Sequence, residues 1–170
     1  MLTFIKLFLD ICQFKRNPQD IPSSNILRNL ALLWYILISI FVSSIHETLP
    51  FTFITVLIDT SLMLILAYTS LWISGHNERA IQTVTALAGT GGIFMLASAP
   101  FSIWLLNVPT GESSISLLFL TALMFWNVAV IGHILRHALG IPIWAGFTIA
   151  IIYTMIYYRV VGALIVTGSN

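Results

Sequence analysis

The sequence predicts an all-α membrane protein, a bundle of five transmembrane helices preceded by a short amphipathic interfacial helix. Of the 170 residues, 58% are hydrophobic and 8% are charged, whereas about 25% of residues are charged in an average soluble domain. Five apolar stretches have roughly the 20 residues that a helix needs to cross a bilayer. The turns between them are too short for a separate soluble domain, so residues 1–170 are expected to form a single membrane domain.

The first element is predicted to be an interfacial helix over residues 2–14. Its polar residues Lys6, Asp10 and Gln13 are spaced i, i+4 and i+7, so they line one narrow stripe of a helix. Most other positions are apolar, and the segment is too short to span a bilayer. An alternative is that this helix packs on the bundle rather than on lipid, and the two arrangements are compatible.

The five spans are predicted from apolar runs bounded by polar or turn-forming residues. Pro18 and Pro22 break the helical pattern after the first element. Ser24 or Asn25 can then cap the next helix by accepting a hydrogen bond from its free N–H groups. The predicted spans cover about residues 26–45, 49–73, 80–105, 115–135 and 141–166.

The orientation is predicted from the distribution of Lys and Arg. Cytoplasmic loops of membrane proteins carry an excess of these residues. With the N-terminus in the cytoplasm, the two external loops, 46–48 and 106–114, contain neither Lys nor Arg. The pattern predicts a cytoplasmic N-terminus and a C-terminus on the opposite side of the membrane. The bases on the cytoplasmic side would be Lys6, Lys15, Arg16, Arg28, Arg79 and Arg136.

Two charged residues inside the predicted spans are the leading candidates for a functional site. Asp59 lies about ten residues into the second span, near the midplane, where a carboxylate should be paired, protonated or in contact with water. Arg159 in the fifth span lies about one helical turn away in depth, so an ion pair with Asp59 is geometrically allowed. Such a pair could be a proton or substrate site, or a structural contact that fixes how two helices dock. A third alternative is that Arg159 extends alone to the outer interface while Asp59 is protonated.

Three histidines on the predicted cytoplasmic side are candidates for a metal site. His133 and His137 are spaced i, i+4, so a helix presents both imidazoles on one face, and His76 lies in the other cytoplasmic turn. However, the sequence has no His-Glu-x-x-His motif, and the single Cys12 gives no support from thiolate ligands. Histidines are also common at the headgroup boundary, so neither a metal nor a cofactor is expected.

The middle of the third span contains Gly89, Gly91 and Gly92, with several alanines around them. Small residues let the backbones of membrane helices approach closely, so this span is predicted to lie at the centre of the bundle. The same glycines resemble part of a nucleotide-binding pattern, but no predicted strand precedes them, and that pattern requires one.

Two stretches of the chain resemble known bacterial proteins. The segment WNVAVIGHILRHALGI, from Trp126 to Ile141 and followed at once by the fifth span, resembles the fourth-to-fifth helix region of bacterial Yip-family proteins. The segment from Leu9 to Pro22 is similar to the start of a group of small bacterial inner-membrane proteins without an assigned role. The two resemblances imply a bacterial inner-membrane protein with five spans, a cytoplasmic N-terminus and a periplasmic C-terminus. From the eukaryotic members it implies a binding adaptor without enzymatic activity, and it carries over no catalytic residues.

The leading functional hypothesis is a non-enzymatic scaffold, adaptor or accessory subunit that binds a partner complex or forms a homo-oligomer. Short loops leave no room for a soluble active site, while the surface helix and the basic, Pro-rich segment 15–25 offer a docking face. The alternative is a small transporter or channel component that uses Asp59 and Arg159. A membrane enzyme or metal protein built on the histidines is a third class. The bases are too few and too scattered for a nucleic-acid partner.

Overall fold

The structure is a computed structural model that describes residues 2–45, 48–107 and 114–168. Within these residues the chain forms six α-helices and no strands. Five of these helices, α2 to α6, are long and apolar enough to cross a membrane. The predicted fold class is therefore confirmed, and the chain is a multi-pass membrane protein. The helices are α1 (Leu2–Cys12), α2 (Asn25–Ser43), α3 (Leu49–Ser74), α4 (Ala80–Asn107), α5 (Ser114–Leu139) and α6 (Ile143–Gly168).

The helix boundaries follow local backbone chemistry. Ser24 is the N-cap of α2, and its hydroxyl accepts a hydrogen bond from the backbone N–H of Leu27 at 3.4 Å. The fourth predicted span ends too early, because α5 continues to Leu139 and stops only at Gly140, whose φ of 67° is left-handed. Pro142 then precedes the first residue of α6, so the last span begins two residues later than predicted.

Helix α4 lies at the centre of the bundle, as its small residues predict. Half of its membrane-spanning window (50%) is buried inside the protein, compared with 11–28% for the other four spans. It contacts α1, α2, α3 and α5. Helix α6 packs on α5 and α3 instead. The four outer spans expose most of their apolar surface, which is the arrangement expected where lipid replaces water as the solvent.

Helix α1 packs on α4 and α5 with one apolar face. Phe8 and Ile11 are buried in this contact, whereas Ile5 is 53% exposed and Leu9 is 40% exposed. The structure thus shows the bundle-packed arrangement, and the exposed apolar side leaves lipid contact as a prediction. The helix ends before the predicted residue 14 because the backbone of Phe14 is left-handed, with a φ of 59°.

Hydrogen bonds gather several chain segments at one end of the bundle. Gln19 Nε2 donates to the backbone oxygen of His137 at 2.8 Å, and Gln82 Nε2 donates to that of Ile21 at 2.7 Å. Arg79 Nη1 also donates to the oxygen of His137, at 3.3 Å. We call this the basic end, defined by the 3-10 turns Pro18–Asp20 and Asn77–Arg79 and the last turn of α5. The opposite end of the bundle is called the far end.

Candidate functional site

Asp59 is buried in the middle of the bundle and is hydrogen-bonded to a tyrosine. Asp59 is 5% exposed and Tyr35 of α2 is 4% exposed. The Tyr35 hydroxyl donates to Oδ2 of Asp59 at 2.5 Å. Within the described residues this is the single hydrogen bond that the carboxylate accepts. A charge-assisted bond of this kind is strong, but one neutral donor does not compensate a full negative charge away from water.

The two residues meet because they lie at the same depth on neighbouring antiparallel helices. Tyr35 is ten residues after the start of α2, and Asp59 is ten residues after the start of α3. At a rise of about 1.5 Å per residue, each lies about 15 Å from the beginning of its own helix. Because α2 and α3 run in opposite directions, both residues fall near the middle of a hydrocarbon core of about 30 Å.

A cavity of about 480 Å³ lies beside this pair, and residues of all five spans line it. It extends from Asp59 to Ser43, the last residue of α2, and therefore from the middle of the bundle to the far end. Sites for small ligands have volumes of roughly 300–1,000 Å³, so this cavity is large enough for one. Its further polar lining residues are Ser39, Ser98, Ser102, Asn127, Tyr153, Thr154, Tyr157 and Tyr158.

Tightly packed apolar side chains fill the bundle between the cavity and the basic end. Leu71, Val84, Ile134 and Leu135 each have 0% exposure, and Ile11 of α1 is equally buried beneath them. Close-packed interiors of this kind hold few voids larger than a water molecule. The cavity therefore reaches toward the far end, while the core closes the route from Asp59 to the basic end.

The structure corrects the predicted ion pair between Asp59 and Arg159. Asp59 is buried and faces Tyr35, whereas Arg159 is exposed on α6. Among the described residues, Asp59 forms no ion pair within 4.0 Å; the two ion pairs found there are Arg16–Asp10 and Arg79–Glu78. The predicted depth of Arg159 in the membrane is close to that of Asp59. Depth alone, however, does not determine on which face of α6 a residue lies. An exposed Arg near the end of a span can instead extend to the interface.

The candidate histidines are only partly brought together. His133 and His137 are neighbours, with ring centroids 4.6 Å apart. His133 Nε2 is 3.2 Å from the backbone oxygen of Arg16, so this ring also holds the segment after α1. His76 does not join them, and no group of three metal-ligating side chains is found in the part of the chain that the structure describes. His133 and His137 therefore have packing contacts near the basic end of the bundle.

Two glycines of α4 make room for aromatic rings. A Cβ atom at Gly89 would overlap the ring of Phe8 in α1, and a Cβ atom at Gly92 would overlap the indole of Trp34 in α2. The sequence predicts close helix packing at these glycines, and the structure shows that side-chain rings from neighbouring helices occupy the space.

The third glycine, Gly91, supports the buried carboxylate site. A Cβ atom there would lie 2.8 Å from the ring of Tyr35. Gly91 also lines the cavity. Its missing side chain therefore lets the Tyr35 ring lie close to α4 and carry its hydroxyl to Asp59. Larger residues at this position would displace the ring.

The sequence interpretation missed Tyr35 and the tyrosines of α6. In an apolar run a tyrosine looks like one more lipid-facing or core residue, so composition gives no signal. The matching depth of Tyr35 and Asp59 is a signal that the sequence does contain. The sequence does not show which helices are neighbours, and that information decides whether the two residues meet.

Comparison with protein-family profiles, curated protein sequences and solved structures finds no match for this chain. The resemblance to the Yip family stays a prediction.

Proposed function

We propose that this chain is a small membrane transporter, or the substrate-binding subunit of one, and that its substrate site is the cavity around Asp59. One observation carries the proposal: a carboxylate buried near the midplane borders a cavity that extends to one end of the bundle. Ionisable residues at this depth are costly, and they typically mark a substrate, ion or proton pathway. A purely structural carboxylate would be expected to have a cationic partner, and within the described residues Asp59 has none.

The arrangement of cavity and core fits a transport cycle. Substrate sites of secondary transporters lie near the bilayer midplane, and access alternates between the two sides. Here the site at Asp59 is connected toward the far end, and the packed core around Leu71, Val84 and Ile134 separates it from the basic end. Alternating access requires a state in which the substrate site is connected to one side of the membrane and closed to the other.

We propose that the chain resides in the bacterial inner membrane with its N-terminus in the cytoplasm. Support comes from the bases on the segment after α1 and near the turns around Arg79 and Arg136, which lie together at the basic end. The positive-inside rule assigns such an end to the cytoplasm. In this orientation the cavity extends to the periplasmic side.

A scaffold or adaptor that binds a protein partner or a second copy of the chain is the second proposal. The observation that favours it is the ordered segment between α1 and α2, which Gln19 and Gln82 hold to the bundle by hydrogen bonds. Lys15 and Arg16 are exposed on this segment, so it offers a rigid, basic surface. A stoichiometric partner retained through purification in mild detergent, and lost when both bases are replaced by Ser, would support this function.

Access of water to the cavity tests the transport proposal. In a Cys12→Ala background, Ser98→Cys places a thiol on the cavity wall, and Thr90→Cys places one on the same helix outside the cavity, at a residue that is 1% exposed. Cells and inverted membrane vesicles are treated separately with a small membrane-impermeant thiol reagent, so each side of the membrane is tested.

We expect the thiol of Ser98→Cys to react from the periplasmic side and that of Thr90→Cys to react from neither side. Equal, negligible labelling of the two variants from both sides would show that the cavity is a dry packing void, and it would overturn the transport proposal.

A further inference from the structure

The cavity around Asp59 carries one sign of fixed charge. Asp59 is acidic, and no Lys, Arg or His is found among the described residues that line the cavity. An anion would have to lie next to a carboxylate without compensation, whereas a cation would neutralise it in a region where an unpaired charge is costly. The charge of the wall therefore selects for a cationic occupant.

The surroundings of Asp59 leave one carboxylate oxygen for that occupant. The Tyr35 hydroxyl uses Oδ2, and Oδ1 accepts no hydrogen bond within the described residues. Arg159, the one base in the membrane-spanning part of α6, is exposed and lies outside the cavity lining. One negative charge with one available oxygen matches a monovalent cation.

The rest of the wall does not suit a divalent metal ion. Ca²⁺ and Mg²⁺ take six or more oxygen ligands, whereas no cluster of three metal-ligating side chains exists in the described ranges of the chain. The wall instead has the composition of an aromatic cage, and aromatic faces attract organic ammonium groups. Leucine and methionine residues add apolar surface that can cover alkyl groups. The aromatic lining residues are Tyr35, Phe94, Tyr153, Tyr157 and Tyr158.

We infer that the cavity binds a monovalent organic ammonium ion, with its charged nitrogen at Asp59 and its apolar substituents against the aromatic and aliphatic wall. This inference rests on the proposed function, because it assumes that the cavity is a ligand site. It adds the chemical class of the ligand, which the charge, the free oxygen and the aromatic lining specify together.

Binding of three ligands of nearly equal shape tests whether the cavity selects an organic cation. Choline carries the ammonium group, 3,3-dimethyl-1-butanol is its neutral carbon analogue, and 3,3-dimethylbutyrate is an anion of similar size. Each is titrated into the purified full-length protein in detergent micelles, and heat of binding is measured. We expect choline to bind at least about tenfold more tightly than the alcohol, because the ion pair and the cation–π contacts are absent for the neutral analogue. The anion should not bind.

Two carboxylate variants assign the preference to the cavity. Asp59→Asn should remove the discrimination between choline and the alcohol. Asp10→Asn, which removes a carboxylate of α1 outside the cavity, should keep it. A melting curve of each variant establishes that the protein is folded. The comparison of the three ligands in the wild-type protein tests the ligand class even if a variant does not fold.

The outcomes test two claims separately: that the cavity binds a ligand, and that this ligand is an organic cation. Equal binding of choline and its neutral analogue would overturn the cationic class and leave the cavity as a ligand site. Binding of choline that is unchanged in folded Asp59→Asn would place the cation elsewhere and overturn the inference. If none of the three ligands binds, the inference fails, and the labelling of Ser98→Cys decides separately whether the transport proposal fails with it.

Discussion

The hydroxyl of Tyr35 in α2 donates a hydrogen bond to Oδ2 of Asp59 in α3 at a distance of 2.5 Å, near the middle of the membrane-spanning bundle. This bond joins the first two spans and positions the carboxylate beside the cavity. It occupies one carboxylate oxygen, and no base among the described residues lies within 4.0 Å to form an ion pair with Asp59. A buried carboxylate that only holds two helices together would be expected to have a cationic partner. Since no such partner is found among the described residues, a functional role for Asp59 is favoured.

The bond should appear as a coupling energy between the two residues. Tyr35→Phe, Asp59→Ala and the double variant form a cycle in which each single variant removes the hydrogen bond, while the aromatic ring stays in place. We expect a coupling of about 1–3 kcal/mol, because hydrogen bonds to charged groups are stronger than neutral ones. The free energy of unfolding in mixed detergent micelles measures it. A coupling near zero would mean that the two side chains do not meet in the membrane.

A second cycle tests the corrected relationship between Asp59 and Arg159. Because Arg159 is exposed on α6 and Asp59 faces α2, Asp59→Asn and Arg159→Gln should act independently. Their effects on the unfolding free energy should add within about 0.5 kcal/mol, as is usual for separated sites. A coupling above about 1 kcal/mol would restore the ion pair and remove the argument that Asp59 has no cationic partner within the described part of the chain.

The sequence predicted the spans well and the site only in part. Apolar length specifies membrane helices directly, so α3 starts at the predicted residue, and the burial of α4 follows from its glycines. Asp59 could be singled out because a charge in an apolar run is costly. Its partner could not be identified, because neighbouring faces are set by packing between distant segments. Arg159 was assigned to Asp59 on depth alone, and the face of α6 on which it lies made that assignment wrong.

The contact between α1 and α4 should control the reactivity of Cys12. Burial raises the pKa of the Cys12 thiol to about 12, so at pH 8 almost all of it is protonated and unreactive. A Cβ atom at Gly89 would overlap the Phe8 ring, so Gly89→Ala should loosen α1 and expose the thiol. We expect alkylation of Cys12 by a water-soluble maleimide at pH 8 to become at least about tenfold faster, since each unit of pKa changes the thiolate fraction tenfold.

The matched control for this prediction is Gly162→Ala in α6, because a Cβ at that position meets no other described part of the chain within 4 Å, apart from the backbone of its own helix. It makes the same chemical change in a membrane helix without a clash, and Cys12 should react as slowly as in the unaltered protein. Fast alkylation in the unaltered protein, or equal rates for the two glycine variants, would contradict the packing of α1 on α4.

Reporter fusions test the proposed orientation. A reporter that is active only in the cytoplasm should work when it is fused after Gly75 or Gly140, the turn residues at the basic end. A reporter that is active only in the periplasm should work after Asn107, the last residue of α4 at the far end. Reversed activities at these three positions would place the basic end outside, and the cavity would then extend to the cytoplasmic side.

Uptake into proteoliposomes tests transport through the Asp59 cavity most directly. Protein is reconstituted at equal density as wild type, Asp59→Asn or Asp10→Asn, and entry of radiolabelled choline is followed over time with empty liposomes as the blank. We expect saturable uptake by the wild type and by Asp10→Asn, and uptake at the level of empty liposomes for Asp59→Asn. Wild-type uptake no faster than the blank, or equal uptake by folded Asp59→Asn, would contradict transport of an organic cation through this cavity.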